Sequence, residues 1–408
     1  MTYQKTVLRS GTVLITMVLL TLILAGNVWA SEFKVLYAFK TKGDGHYPFS
    51  GLILDAAGNL YGTTTEGGTY RGGTIFKLAP TPDGRWTESV LYNFTAGMDG
   101  SYPYGGLTFD AAGNLYGTAR DSGAYGYGTV FKMTPNPDGT WTYTVLHTFS
   151  WLDGCNPLSN LILDASGNLY GTTYQGGSVG YGTVFKLTHN PNASWTESVL
   201  HNFGLQPDGQ HPYTDVTFDA AGNLYGLASD GGEKGCYGHG LGCGIAFKLV
   251  PNPDGSWTEQ IIASFGGRPA QSPYSNLIFD TAGHLYGTTS GEAYLHSSFG
   301  TVFMLSPNPD GSWKKITLHR FQGKDGANPH DSLIFDASGN LYSTTRAGGH
   351  YDSGTVFKLT PQRDFVKLHV FTKGEQPFAG LVMDAAGRLY GTTRYGGRGY
   401  GLVFQVTP

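Results

Sequence analysis

Tyrosine and histidine side chains are concentrated in the segments that separate short apolar runs of this 408-residue sequence. Aromatic rings can stack on sugar rings, and phenol and imidazole groups can hydrogen-bond hydroxyl or peptide groups. These residue types predict a binding surface for a glycan or a peptide. Each side chain could instead pack between repeats and cover glycine-rich backbone. The ten residues expected to line the surface are Tyr47, Tyr104, Tyr125, Tyr174, His211, Tyr237, His239, His330, His350 and Tyr395.

Acidic residues in the same segments could supply paired carboxylates for sugar chemistry. No singular constellation that breaks the repeat stands out, and neither a His-Glu-x-x-His motif nor a Walker-type loop occurs. We therefore assign no catalytic residue. A polysaccharide-active or lyase-type enzyme that uses acids and histidines of this surface is the alternative to a binding protein. The candidate acids are Glu66, Asp121, Asp230, Glu233, Glu292, Asp352 and Glu375.

An Asp-Gly pair recurs in five of these segments, and a proline follows it. A calcium loop would space several oxygen donors within about 12 residues, whereas each repeat offers one acid here. Aspartate and glycine also favour turns. We expect turns, no metal site and no cofactor. The five aspartates are Asp44, Asp99, Asp153, Asp208 and Asp325.

Three cysteines are too few to form the framework of the fold. Cys236 and Cys243 lie in one glycine-rich segment that is flexible enough to bring the two sulfurs together, so we predict a loop disulfide. Two free thiols, or a metal site that also uses His239, are the alternatives, although this spacing matches no established zinc pattern. Cys155 is left unpaired.

These segments connect the strands of a repeat built around Asp-Ala-Ala-Gly-Asn-Leu-Tyr-Gly, residues 55–62. Periods of this size are typical of stacked or circular arrays of one supersecondary unit. The repeat predicts one domain whose units share a core. Its aspartate returns at intervals of 48 to 61 residues, as Asp110, Asp164, Asp219, Asp280, Asp336 and Asp384.

Each repeat predicts four short strands, which we name a, b, c and d in chain order. In the first repeat, strand a ends at Asp55, strand b is 60–64, strand c is 73–78 and strand d is 86–94. Four strands per unit are typical of a propeller blade. An additional strand d at 32–39 precedes the first repeat, and the last repeat lacks its own. The sequence therefore predicts an all-β, seven-bladed β-propeller over 31–408, with four antiparallel strands per blade and a ring closed by the N-terminal strand.

The first thirty residues resemble a secretory signal peptide. Lys5 and Arg9 precede an apolar run, and Val28-Trp29-Ala30 offers a small-x-small cleavage site. A retained membrane anchor is the alternative, but the run is shorter than the roughly 20 residues that span a bilayer. We expect an exported monomer, periplasmic or extracellular, without stable membrane insertion. Its formal charge of −4 argues against a nucleic-acid partner.

The unit at 161–187, Leu-Ile-Leu-Asp-Ala-Ser-Gly-Asn-Leu-Tyr-Gly-Thr-Thr followed by Gly-Tyr-Gly-Thr-Val-Phe-Lys-Leu, resembles the GloVer tandem repeat. That family belongs to the choice-of-anchor group of exported bacterial proteins, which implies export and a repeat fold but no agreed activity. No C-terminal sorting signal is visible, so we expect release into the periplasm or medium. The Asp turn is also similar to the blade turn of NHL and streptogramin-lyase propellers. The resulting hypothesis is a non-enzymatic binding or scaffold propeller.

Overall fold

The computed structural model describes residues 31–40, 43–232, 242–266, 271–291, 298–372 and 374–408. Within these ranges the chain forms strands and turns and no helix. Seven sheets each contain four antiparallel strands in the order a, b, c, d. They are the blades of a seven-bladed β-propeller, which confirms the predicted fold.

Strands a and b flank the Asp turn of each blade. Strand a is two residues long and half-buried, and it forms one edge of its sheet. Strand b is almost entirely buried. The a strands are Ile53–Leu54, Thr108–Phe109, Ile162–Leu163, Thr217–Phe218, Ile278–Phe279, Ile334–Phe335 and Val382–Met383. The b strands are Leu60–Thr64, Leu115–Ala119, Leu169–Thr173, Leu224–Ala228, Leu285–Thr289, Leu341–Thr345 and Leu389–Thr393.

Strands c and d complete each blade on its other side. The c strands are Thr74–Pro80, Thr129–Pro135, Thr183–His189, Ile245–Pro251, Thr301–Pro307, Thr355–Leu359 and Leu402–Thr407. The d strands of blades 1 to 7 are Trp86–Asn93, Trp141–Thr148, Trp195–Asn202, Trp257–Ser264, Trp313–Arg320, Phe365–Val370 and Glu32–Ala38. Two short two-stranded sheets link the d-to-a loop to the b-to-c loop of the same blade, where Gly45–His46 pairs with Glu66–Gly67 and Gly209–Gln210 with Asp230–Gly231.

The first strand closes the ring as predicted. Glu32–Ala38 pairs antiparallel with Leu402–Thr407, from Glu32 opposite Thr407 to Ala38 opposite Leu402. The Phe39 ring then packs on Phe76 of blade 1, with ring centroids 5.2 Å apart. Blade 7 is thus built from both ends of the described chain. Blades 7 and 1 are in contact, so the ring is closed.

One aromatic contact repeats at every seam between blades. The phenylalanine that follows strand d packs edge-on or tilted against the phenylalanine in strand c of the next blade, as Phe94 does on Phe131 at 5.5 Å. Strand b carries a small residue beneath that ring: a Cβ on Gly62 would lie 2.8 Å from the ring of Phe76. The glycine of the Leu-Tyr-Gly motif is therefore required by packing. The other seam pairs are Phe149–Phe185, Phe203–Phe247, Phe265–Phe303, Phe321–Phe357, Phe371–Phe404 and Phe39–Phe76.

The repeated aspartate holds the turn between strands a and b. Asp164 Oδ1 accepts the backbone N–H groups of Ser166 and Asn168, and Oδ2 accepts the side chains of Asn168 and Tyr170, at 2.8 to 3.0 Å. These hydrogen bonds favour the charged carboxylate and hold the pKa of Asp164 below its usual range despite partial burial. The aspartate is a structural residue in every blade.

Candidate functional site

The loops that join strand d to strand a reach the propeller axis on the face that also carries the b-to-c loops, which we call the long-loop face. Before each loop proline, one residue adopts a left-handed backbone. Its N–H donates to a carbonyl of the preceding blade, and its carbonyl accepts the N–H of the residue after strand b: for Tyr47, the partners are Tyr400 and Thr65 at 2.8 and 3.1 Å. The seven residues, with φ between 47° and 58°, are Tyr47, Tyr102, Asn156, His211, Ser272, Asn328 and Gln376.

This backbone geometry directs the residue after each loop proline towards the axis. The resulting set, which we call the axial ring, contains Phe49, Tyr104, Leu158, Tyr213, Tyr274, His330 and Phe378. Members from neighbouring blades touch: Phe49 stacks on Phe378 with centroids 4.8 Å apart, and His330 stacks on Tyr274 at 4.9 Å. Phe49 also contacts Tyr104 edge-on at 4.8 Å. Residues from all seven blades thus form one surface.

A polar layer lies beside the axial ring. Asp215 Oδ1 accepts the N–H of Asn160 at 2.6 Å, and Oδ2 accepts the side-chain amides of Asn160 and Asn276 at 2.8 and 2.5 Å. Asp331 accepts the N–H groups of Ser332 and Gly380 at 2.6 and 2.5 Å. Both carboxylates therefore tie neighbouring blades together at the axis.

Enclosure at the axis changes the charge of these groups. Desolvation raises the pKa of Asp215 to about 7, and the nearby negative charge of Asp331 adds to this shift. Desolvation likewise raises the pKa of Asp331. His330 shifts the other way: desolvation lowers its pKa to about 4, and the charge of Arg346 lowers it further. At neutral pH the axis therefore holds a neutral imidazole beside carboxyl groups that resist ionisation.

The space enclosed at the axis is small. Its volume is about 40 Å³ for the centres of water molecules. Since one water needs roughly 10–15 Å³ by this measure, only a few fit. A sugar ring or a large peptide side chain can lie on the axial ring but cannot enter beneath it without moving the aromatic rings.

Three arginines extend this surface outwards. They occupy the position after strand b, where their guanidinium groups lie over aromatic rings: Arg120 over Tyr104 at 5.3 Å, Arg346 over Phe378 at 4.7 Å, and Arg394 over Phe378 at 5.4 Å. Arg120 also lies 3.6 Å from a carboxylate oxygen of Asp121. In the other four blades this position holds Thr65, Tyr174, Ser229 and Ser290.

Arg394 has a nitrogen atom that the described part of the protein leaves unpaired. Its Nε atom is buried and has no hydrogen-bond partner there. Its guanidinium group also contacts the rings of Phe49 and Tyr395 at 5.8 and 5.1 Å. The sector formed by blades 6, 7, 1 and 2 is therefore both cationic and aromatic.

The predicted surface residues fall into separate groups. Tyr104 and His330 belong to the axial ring. Tyr47 and Tyr395 pack on each other at 5.4 Å beside Arg394. Tyr174 stacks on His211 at 4.8 Å and contacts Tyr213, and His211 is also 2.9 Å from Asp230.

The remaining predicted residues lie elsewhere or outside the described ranges. Tyr125 is 64% exposed on a b-to-c loop, and His350 is exposed on another loop, where it contacts Tyr351 at 4.5 Å. Tyr237 and His239 lie outside the described residues. Cys243 is disulfide-bonded, but its predicted partner Cys236 is outside the described residues too, so their pairing stays a prediction.

Sequence reasoning did not single out Phe49, Phe378, the axial carboxylates or the three arginines. A signal was present for the aromatic rings and the arginines, because Phe49 and Phe378 directly follow the loop proline and each arginine stands at a fixed distance after the Leu-Tyr pair of its repeat. Grouping the loop residues by type, as tyrosine or histidine, did not reveal this positional signal. Alignment by loop proline would have placed Phe49, Tyr104, Leu158, Tyr213, Tyr274, His330 and Phe378 in one column.

A larger cavity of about 700 Å³ lies on the opposite face, between blades 7 and 1. Its walls include Lys34, Trp86 and the Asp turns of both blades. The carboxylates Asp55 and Asp384 are occupied there by turn hydrogen bonds, and Asp384 also pairs with Arg388 at 2.6 Å. The polar groups of this cavity serve its own turns, so we place the candidate site on the long-loop face.

Comparison with protein families matches the Gloeobacter/Verrucomicrobia repeat to residues 28–239 and 236–408. The chain belongs to this repeat family. The match spans nearly the whole propeller and confirms the predicted GloVer relationship. No curated protein matches the sequence.

Solved structures show the same fold. A virginiamycin B lyase from Staphylococcus aureus aligns with a TM-score of 0.56 and 12% identity, over 93% of this chain and 99% of that one. A streptogramin B lyase structure aligns with a TM-score of 0.54 and 12% identity, over 92% of this chain and 97% of that one. Similarity at this level of identity establishes the propeller architecture alone.

Proposed function

We propose that this repeat-family propeller is an exported, non-enzymatic binding protein whose long-loop face holds a glycan that carries carboxylate groups. The observation that carries the proposal is the cationic and aromatic sector, in which Arg346 and Arg394 lie on the rings of Phe49 and Phe378. Aromatic faces can stack sugar rings, while guanidinium groups bind carboxylates through paired hydrogen bonds. A peptide with acidic side chains offers similar groups and is the alternative ligand.

The size of the axial cavity supports binding over turnover. A ligand on the face would contact the axial ring and the arginines. The space of about 40 Å³ beneath the ring would hold only water molecules. The leader-like first thirty residues support export. Among the described residues, no helix has the length and apolar character needed to cross a membrane.

The test is binding to immobilised polysaccharides, with polygalacturonate and alginate as acidic probes and dextran as the neutral one. We expect retention of the acidic probes, weakened by added salt because exposed ion pairs are screened. R394A should reduce affinity by about tenfold, the equivalent of roughly 1.4 kcal/mol for one charged hydrogen-bonding group. R363A removes the same charge from an exposed turn between strands c and d, on the opposite face, so it is the matched control and should bind normally. Equal retention of dextran, or full binding by R394A, would contradict the proposal.

A lyase-type or polysaccharide-active enzyme is the second candidate, and the raised pKa of Asp215, about 7, is the observation that favours it. A carboxyl group that titrates near neutral pH can exchange protons with a substrate. The hydrogen bonds from Asn160 and Asn276 count against this role because they occupy Asp215. Elimination and hydrolysis assays on the same polysaccharides decide between the candidates: turnover that D215N abolishes would replace the binding proposal.

A further inference from the structure

The outer rim of the propeller contains a second repeated arrangement of titratable side chains. At several seams, a tyrosine or histidine near the end of strand d faces the aspartate of the following loop, and a residue from strand d of the next blade lies alongside. Three of these sets have a carboxylate from the next blade. They are Tyr37, Asp44 and Glu88; His147, Asp153 and Glu197; and His201, Asp208 and Glu259.

In most of these seams the tyrosine or histidine is hydrogen-bonded to the loop aspartate. Tyr37 donates to Asp44 at 2.7 Å, and His147 and His319 lie 3.1 and 2.9 Å from Asp153 and Asp325. These pairs satisfy one another, so a further ligand would have to break a hydrogen bond.

The seam between blades 3 and 4 is different. His201 Nε2 is 3.5 Å from Asp208 Oδ2, with no hydrogen bond formed between them, and 3.9 Å from Glu259 Oε1. Ligand atoms of the three side chains all lie within 4.8 Å of one another. His201 Nε2 and Glu259 Oε1 are buried and have no hydrogen-bond partner in the described part of the protein. Two buried polar atoms therefore face the same gap without a hydrogen-bond partner. This costs free energy unless an ion or another group occupies the gap.

We propose that His201, Asp208 and Glu259 form a binding site for a divalent transition-metal ion of the zinc type. One imidazole and two carboxylates are ligands that zinc accepts, at bond lengths of about 2.0–2.2 Å. Tetrahedral bonds of that length place neighbouring ligand atoms about 3.4 Å apart. The observed separations of 3.5 and 3.9 Å need only a small contraction to reach this geometry.

The surroundings of the site support this chemistry. Asp208 is anchored by the N–H groups of Gly204 and Gly209, each at 2.6 Å, so its carboxylate is oriented before an ion arrives. The three side chains keep 16 to 19% of their surface exposed, while the ligand atoms His201 Nε2 and Glu259 Oε1 are buried, so the fourth ligand would be a water molecule that enters with the ion. Calcium fits less well, because it prefers 6–8 oxygen ligands. An ion here would join strand d of blade 3 to strand d of blade 4.

A shared proton is the competing explanation for the same gap. Desolvation, together with the negative charge of Asp208, raises the pKa of Glu259 to about 7. Protonated Glu259 could therefore donate to Asp208 with no metal present. The seam of Glu197 provides the comparison, because its pKa is also raised, to about 8, while His147 there is already bonded to Asp153. The metal explanation predicts a difference between the two seams, because only the seam of Glu259 would bind an ion. The proton explanation predicts a neutral glutamic acid in both.

The experiment titrates tag-free, chelator-treated protein with ZnCl₂ in a calorimeter at pH 7, with CaCl₂ in parallel. We expect one zinc ion per chain, much weaker calcium binding, and a higher melting temperature in the presence of zinc. E259Q keeps the size of the side chain and should weaken zinc binding by at least about 100-fold, as should H201A. E197Q and H147A at the sister seam should leave it unchanged. An anomalous scattering peak at the zinc edge, located between the three side chains, would place the ion.

Two results would overturn the inference. One is the absence of stoichiometric zinc binding, which leaves the shared proton as the explanation. The other is zinc binding that persists in both E259Q and H201A, which would assign it to other surface histidines. Because the site lies on the outer rim and uses none of the arginines, neither result bears on polysaccharide binding by the long-loop face.

Discussion

The two faces of the propeller use one repeated backbone in opposite ways. On the face of the Asp turns, side chains hold the backbone: each aspartate accepts turn amides and a tyrosine hydroxyl, as Asp55 and Asp164 do. On the long-loop face, the same pair of main-chain hydrogen bonds holds the residue before every loop proline, and side chains add bonds only in some blades, as Asn156 and Asn328 do. Its type is accordingly free, and Tyr, Asn, His, Ser and Gln all occur there. Side chains that are not needed to shape a loop are available for ligands.

Both faces depend on ring closure, so the largest effect is expected from deletion of residues 31–40. The deletion removes the strand that pairs with Leu402–Thr407, together with the buried side chains of Leu36 and Phe39. Each lost large buried side chain costs about 3–5 kcal/mol, a large part of the stability of a domain. We expect loss of cooperative unfolding, measured by calorimetry. A permuted chain that starts at Gly139 and joins Pro408 to Ser31 by a flexible linker keeps every strand and should melt cooperatively. Unchanged melting of the deletion variant would show that the closing strand is dispensable.

The contrast between the faces is tested by D164A against L158A in the same blade. D164A removes four hydrogen bonds to a charged acceptor and should cost about 2–3 kcal/mol at pH 7. L158A alters a half-buried side chain of the axial ring and should cost less than about 1 kcal/mol. Urea unfolding measures both. An equal cost at the two positions would remove the distinction between a structural and an adaptable face.

Acid should reduce the cost of D164A. The pKa of Asp164 is lowered in the folded state, so its stabilisation is present above the ordinary carboxyl pKa and is lost as the pH falls through the lower, folded value. The gap between wild type and D164A should therefore narrow at pH 3. A gap that widened in acid would mean that the carboxylate is not the stabilising form.

At the axis we expect a smaller effect of pH with the opposite sign: stability should fall as the pH rises. The folded-state pKa of Asp215, about 7, lies above its ordinary value of 3.8. Between these two values the folded protein holds a proton that the unfolded chain has lost. The stabilisation of the folded state by this proton disappears as the pH rises towards 8. D331N removes a neighbouring charge and should make the decline in stability between pH 5 and pH 8 shallower by about 1 kcal/mol. Urea unfolding at both pH values measures it, and a steeper decline in D331N would contradict the electrostatic account.

Much of the fold could be predicted because each repeated residue has a local reason. Asp55 shapes a turn within its own hairpin, and Gly62 makes room for Phe76 in the adjacent strand. The candidate site was predicted less well. Tyr104 and His330 lie in the axial ring, whereas Tyr125 and His350 share their residue types but lie on exposed loops. Residue type alone could not separate the two pairs, because the feature that distinguishes Tyr104 and His330 is the proline directly before them.

The sequence by itself determined the number of blades and the strands of each blade, since these follow from periodic residues that contact near neighbours in the chain. It also determined the closure of the ring, because the strand missing from the last repeat is present before the first. Only the tertiary structure decided that Phe49, Tyr213 and His330 meet at the axis and that His201 faces Glu259 across a seam. Such contacts join residues tens to hundreds of positions apart. Their geometry is set by the closed ring and by the loop backbone before each proline, and neither is encoded in the types of the side chains that meet.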